Sequence, residues 1–178
     1  MPIPFTSVEL SFQTVFVLMA GLLLGARDGA ISVTVYIIMG LLGLPVFTRG
    51  GGIGYVLQPS FGYLIGFILG AFVTGALINR FNKKSAATAG KAFGATLVGM
   101  IPVYVIGITY QVLIMYYYMQ NTFAVAIASV PAIGVLAVKD AVLCGLVCIL
   151  YPSLKKVLKT DRADKTRKKR DTITDEHV

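Results

Sequence analysis

The chain has 178 residues, of which 56% are hydrophobic and 13% charged, with a mean hydropathy of +0.79 and a net charge of +8. Soluble domains carry roughly 25% charged residues, so an ordinary soluble fold is excluded and an all-α, multi-pass membrane bundle is expected. Between Ala26 and Leu154 the charged residues are only Arg27, Asp28, Arg49, Arg80, Lys83, Lys84, Lys91, Lys139 and Asp140. The excess positive charge therefore reflects cytoplasmic loops and a tail lying beside anionic lipid, and does not point to nucleic acid.

Residues 1–11 carry Glu9 as their one charge and have no signal-peptide pattern. Residues 12–25 form the first apolar run, short of the roughly 20 residues a perpendicular span needs. Gly21 and Gly25 within it permit close helix contact. Residues 26–29 (A-R-D-G) read as a tight polar turn, and residues 30–44 as the second span, ending before Pro45.

Residues 43–66 differ from the apolar segments on either side. They hold Pro45, Pro59, a glycine cluster, Arg49, Gln58, Ser60 and the aromatics Phe47, Tyr55, Phe61 and Tyr63. Glycine admits close backbone approach and aromatics supply flat apolar area. Such a loop is either a cover for a binding site or a plain connector.

Residues 61–79 are the third span, with Gly62, Gly66 and Gly70 striping one face for tight packing. Residues 80–91 read as a polar loop. Residues 92–119 are the fourth apolar stretch, interrupted by Pro102 and Gly107 and ending in Tyr116, Tyr117 and Tyr118 as an interfacial belt. Residues 120–122 form an uncharged turn. Pro131 and Gly134 mark entry to a fifth span over residues 132–151. Residues 155–178 hold nine Lys/Arg and five Asp/Glu without apolar periodicity and read as a disordered basic tail, leaving residues 1–154 as the membrane domain.

Lysine and arginine concentrate in the 26–29 turn, the 80–91 loop and the tail, which places these and the C-terminus in the cytoplasm. The 45–60 loop, with only Arg49, and the 119–123 turn then face outward. Five spans with a cytoplasmic C-terminus put Met1 outside, so a further helix is expected upstream.

Lys139 and Asp140 lie within the apolar segment V-L-A-V-K-D-A-V-L-C. Each such charge costs roughly 2.5 to 3.5 kcal/mol at the bilayer centre. Adjacent helical residues point about 100° apart, so the pair is not expected to face each other directly. Instead one would line a cavity while the other reaches a neighbouring helix. The alternatives are a structural interhelical contact or Lys139 reaching outward to the membrane surface. Lys139 lies about 12 Å below the outer end of its helix at 1.5 Å per residue. Arg49, Gln58, Ser60 and Tyr63 from the outer loop could converge there. Tyr104, Tyr110 and Gln111 are further polar candidates. The implied ligand has an apolar body, several hydrogen-bonding groups and a negative charge for Lys139 or Arg49.

Cys144 and Cys148 share a helix face and read as apolar packing residues. The sole histidine is His177, in the tail, so zinc, haem and Ser/His chemistry in the spans are unsupported. There is no phosphate loop of the G-x-x-x-x-G-K type. An enzyme is not expected, no cofactor is implied, and a transporter of this size would need a motor partner or work by facilitated movement.

Two ordered motifs resemble one family. Residues 20–47 (A-G-L-L-L-G-A-R-D-G-A-I-S-V-T-V-Y-I-I-M-G-L-L-G-L-P-V-F) and residues 50–67 (G-G-G-I-G-Y-V-L-Q-P-S-F-G-Y-L-I-G-F) are similar to the BioY family, as is the leader P-I-P-F-T-S-V-E-L-S-F-Q-T. These are the biotin-specific substrate-binding components of energy-coupling-factor (ECF) vitamin transporters. The resemblance covers residues 2–154. It implies a six-helix domain in the plasma membrane with an outward biotin pocket, biotin as the transported ligand, and the 43–60 loop as part of a cover. It also implies a transmembrane coupling subunit and two cytoplasmic ATPase subunits as partners. Phe47, Gln58, Ser60, Tyr63, Tyr110, Arg49, Lys139 and Asp140 become the expected substrate contacts. Lys139 aligns with a family lysine. The family's aspartate, three residues earlier, is here Leu136, and Asp140 follows Lys139 instead. Five helices are present, so the family's first helix is expected to precede Met1. The readings that remain beside this one are a relative with changed specificity, such as for lipoate, and a membrane assembly protein with no small ligand.

Overall fold

The computed structural model describes residues 12–47, 50–84, 88–118, 134–151, 153–154 and 156. Arg49, the 119–133 connection and most of the basic tail lie outside the described residues.

Five α-helices carry most of the described chain, α1 (Gln13–Leu24), α2 (Ala26–Leu41), α3 (Phe61–Lys84), α4 (Ala89–Leu113) and α5 (Gly134–Tyr151), with a 3-10 turn over Ile53–Leu57 between α2 and α3. Helices α3, α4 and α5 are long and apolar enough to cross a membrane, with α4 continuing as a π-helical turn over Ile114–Tyr118. At 1.5 Å per residue α1 and α2 reach only about 18 and 24 Å, short of the roughly 30 Å hydrocarbon thickness. Among the described residues no strand forms, as an all-α bundle requires.

The turn expected at residues 26–29 sits one residue earlier and is shorter. Gly25 alone makes it, with φ +91°, donating its N–H to Gly21 O and accepting from Gly29 N–H. A positive φ suits glycine because it has no Cβ. Arg27 and Asp28 then fall in the first turn of α2. Asp28 is favourable there because the unpaired N–H groups of a helix start attract negative charge. The predicted 80–91 loop is likewise mostly helical: α3 runs to Lys84 and α4 starts at Ala89. Charged side chains end an apolar run without ending a helix.

In lipid, helices associate through close packing rather than through exclusion of water. The most extensive interface joins α3 and α4, and the glycine stripe explains it. A Cβ on Gly66 would lie 2.8 Å from Val103 Cα, and one on Gly70 would lie 2.9 Å from Gly99 O. Gly99 in turn admits Thr74 Oγ1, and Gly62 admits Tyr110. The two backbones approach as only Gly-faced helices can. Pro102 lies inside α4 without ending it.

Glycines also join α1, α2 and α3. Gly29 packs on Gly21, where a Cβ would lie 2.9 Å from Gly21 Cα, and Gly75 meets the backbone of Gly25 and Ala26. A Cβ on Gly25 would lie 3.1 Å from Asn79 Nδ2. The α1–α2 turn, with Arg27 and Asp28, therefore sits beside the end of α3 that carries Arg80. Among the described residues, Arg27, Arg80 and Lys91 gather at one end of the bundle. The 43–60 loop lies at the other.

The core follows from these contacts. One cluster centres on Val33, Ile37, Phe61, Leu64, Phe67 and Val103, and a second on Leu22, Ile78, Ala95, Cys148 and Tyr151. Cys144 and Cys148 are buried and free, as apolar packing residues should be. Cys148 Sγ lies 3.8 Å from Thr96 Oγ1.

Candidate substrate-binding site

Helix α5 buries Leu136, Asp140, Cys144, Cys148 and Tyr151 and exposes Val135, Val138, Val142 and Ile149. The inward stripe advances by about four residues, as a helix with one buried face must. Asp140 is on that stripe and only 3% exposed. It lies one turn beyond Leu136 on the same face. A carboxylate moved from position 136 to 140 still faces the bundle interior, shifted by about 6 Å along the axis.

The expectation that Lys139 and Asp140 do not face each other is corrected. Lys139 Nζ lies 2.7 Å from Asp140 Oδ1. The Cβ directions diverge, but the four-carbon lysine stem is long enough to curl back. Asp140 also reaches a neighbouring helix, as expected: its Oδ2 accepts the Tyr104 hydroxyl of α4 at 2.7 Å. Oδ2 thus carries the hydrogen bond, while the buried Oδ1 accepts none and is compensated by the nearby ammonium charge. A buried carboxylate is tolerable only with such partners. The Lys139 side chain is 22% exposed, and its Nζ stands 5.7 Å from the Phe12 ring centroid.

From this pair the polar and aromatic contacts run in both directions. On the α4 side, Tyr104 meets Tyr63 of α3 edge to face at 6.1 Å. The Tyr63 hydroxyl donates to Gln111 Oε1 at 3.2 Å, and Gln111 is 1% exposed. Next to Gln111, Tyr110 meets Phe61 edge to face at 5.9 Å and donates its hydroxyl to Val56 O of the loop between α2 and α3. Ser60 Oγ donates to the Tyr55 hydroxyl at 3.3 Å.

On the α1 side, Phe12 is followed by Gln13, whose Nε2 donates to the Tyr36 hydroxyl of α2. Tyr36 in turn donates to Val46 O at 2.8 Å and meets the Phe47 ring edge-on at 5.7 Å. Phe47 packs on Tyr55 at 4.5 Å, which returns the path to Ser60. Joined through the chain neighbours 12–13, 60–61 and 110–111, these contacts trace a circuit that passes through all five helices and the loop between α2 and α3. An apolar cavity of about 320 Å³ opens between α1 and α2, with Gln13, Val17, Val33 and Tyr36 among its walls.

Of the residues singled out from sequence, Phe47, Ser60, Tyr63, Tyr110, Lys139 and Asp140 all lie on this circuit. Gln58 is half-buried, and its backbone joins the loop to α3 by accepting Phe61 N–H at 3.0 Å. Arg49 is not described. Gln13 and Tyr36 were not singled out. Their signal is modest: each is a hydrogen-bonding side chain within an otherwise apolar run.

A sequence model of the BioY family matches residues 1–160. The chain is 35% identical over 155 residues to the biotin transporter BioY of Rhizobium etli, covering 84% of this chain and 83% of that one. It is 50% identical over 108 residues to the probable biotin transporter BioY of Lysinibacillus sphaericus, spanning 61% of this chain and about half (54%) of that relative's length. In three dimensions it matches a solved S-component for biotin from an ECF-type ABC transporter, with a TM-score of 0.74 and 26% identity over 88% of this chain and 80% of the other. Thus the chain, a helical membrane bundle with a buried carboxylate paired to a partly exposed ammonium, belongs to the BioY family.

Proposed function

We propose that the protein captures biotin from outside the cell and works as the substrate-binding subunit of an ECF-type ABC transporter. The observation that carries this reading is the likeness, over 88% of the chain, to a solved S-component for biotin. The site chemistry supports it. Biotin carries a ureido ring with N–H donors, an apolar thioether body and a carboxylate. Asp140 offers a buried acceptor, Lys139 and Arg49 supply positive charge, and Phe47, Tyr63 and Tyr110 supply apolar wall. Gln58 and Ser60 add neutral hydrogen-bonding groups from the loop.

Transport requires energy that this sequence has no motif to supply. A transmembrane coupling subunit and two cytoplasmic ATPase subunits complete the machine in this reading. The cationic end of the bundle, with Arg27 and Arg80, and the basic tail face the cytoplasm, following the lysine and arginine distribution.

The test is calorimetric titration of the purified full chain with biotin, followed by competition with lipoate. Saturable biotin binding that lipoate does not displace supports the reading. Displacement by lipoate reassigns the substrate, and absence of any biotin binding refutes it.

A further inference from the structure

The 43–60 loop is attached to the end of α2 more firmly than a connector needs to be. Phe47 lies in the connection between two helices, yet it is 5% exposed. Its ring occupies the space where a side chain on Gly40 would stand: a Cβ there would collide with three atoms of the ring. Tyr36, one turn before Gly40 on α2, meets the same ring edge-on. Tyr55 packs on the ring at 4.5 Å.

The backbone repeats the attachment. Phe47 and Gly50 exchange two hydrogen bonds, at 3.0 and 3.1 Å. Gly52 N–H donates to Gly40 O at 2.7 Å, and Tyr36 donates to Val46 O. Around this seat the loop leaves large apolar side chains outside, with Ile53 82% exposed. An aromatic ring buried at this point, while nearby apolar side chains stay out, marks the seat as the point of attachment.

We propose that Gly40 and Tyr36 are positioning residues for ligand retention. Gly40 leaves the notch, Tyr36 walls it, and Phe47 seated in it holds the outer loop against α2, which slows release of bound ligand. The retention half of this proposal rests on the biotin reading above. The seat itself does not. Affinity changes of this kind fall mainly on dissociation, and a ring that loses two aromatic partners loses a contact large enough to register.

The experiment has two arms on the full chain in detergent. In the first, a nitroxide is placed at position 53 (I53C, with C144A and C148A) and its lineshape is read without ligand. Gly40→Ala is expected to shift the spectrum to the mobile form, and Tyr36→Phe, which keeps the ring and loses the hydroxyl, to shift it less. In the second, release of radiolabelled biotin is timed. Gly40→Ala is expected to speed release by about tenfold, more than it alters association. Once Phe47→Ala has removed the ring, adding Gly40→Ala is expected to change nothing further.

Unchanged lineshapes in both Gly40→Ala and Tyr36→Phe overturn the seat. Mobile lineshapes with release within twofold of the parent overturn its role in retention. If Gly40→Ala does not fold, Tyr36→Phe decides both arms, with Phe47→Leu added to the lineshape arm. A parent chain that does not bind biotin refutes the substrate reading instead, and the lineshape arm still judges the seat.

Discussion

The Lys139–Asp140 pair makes an asymmetric prediction. Its two members are buried unequally: the side chains are 22% and 4% exposed. Lys139→Ala leaves a carboxylate inside the bundle with Tyr104 as its one remaining partner among the described residues. Removing one partner of a buried ion pair costs about 3 to 5 kcal/mol, because the remaining charge is uncompensated. Asp140→Asn leaves the cation behind instead. Lys139 can keep its aliphatic stem in the bundle and turn its ammonium outward, and the amide still accepts the Tyr104 hydroxyl. That change should cost about 1 kcal/mol. The double variant Lys139→Met with Asp140→Leu removes both charges and should recover most of the lost stability, since hydrophobic replacement of a buried pair is often neutral. The assay is thermal unfolding in detergent followed by circular dichroism. At about 2 to 4 °C per kcal/mol for a chain of this size, Lys139→Ala should lower Tm by at least about 6 °C and Asp140→Asn by no more than about 4 °C. All three variants should weaken biotin binding in calorimetry. An Asp140→Asn loss equal to or larger than that of Lys139→Ala would refute the argument, and unchanged biotin affinity in Lys139→Ala would remove this residue from the site.

Tyr104→Phe deletes the hydroxyl that donates to Asp140 Oδ2 and keeps the ring against Tyr63. A hydrogen bond to a charged group contributes about 1.5 to 3 kcal/mol to stability, so Tm should fall by about 3 °C or more, with helix content by circular dichroism at low temperature unchanged. Gly66→Leu should prevent recovery of a monodisperse protein in size-exclusion chromatography, because its Cβ alone would lie 2.8 Å from Val103 Cα. Gly94→Ala, where a Cβ meets nothing within 4 Å, should raise stability by up to about 1 kcal/mol, read as a higher Tm. For sidedness, a cysteine at position 53 should react with a membrane-impermeant maleimide on intact cells, and one at position 91 only after permeabilisation. The reverse pattern would invert the assigned topology.

Much of the bundle was legible because the bilayer imposes simple demands. Apolar runs had to be helices, and Gly62, Gly66 and Gly70 at four-residue spacing had to meet a close neighbour, which is α4. Boundaries were less legible where polarity and helicity disagree. Residues 26–29 are polar but helical, since Arg27 and Asp28 sit at a helix start, and Gly25 can turn the chain by itself. The 80–84 segment extends α3 for the same reason. At the site, Lys139 and Asp140 stood out because their charge is costly in that setting. Their direct contact did not, because helical spacing describes Cβ directions and not the reach of a lysine. Gln13 and Tyr36 passed unremarked because a single polar group in an apolar run has no meaning until its partner is known.

The amino-acid sequence by itself determined that this is a helical membrane protein, where its glycines permit close contact, which end of the bundle collects cations, and which two charges within an apolar helix need explaining. Each of these follows from the energy of putting a given side chain into lipid or a given backbone beside another. Only the tertiary structure decided that residues 12, 36, 47, 63, 104 and 140 belong to one circuit, and that Phe47 sits where Gly40 has no side chain. Hydrogen bonds and ring contacts reach only a few ångströms, so they depend on which helices pack together, and that is settled by the whole bundle at once.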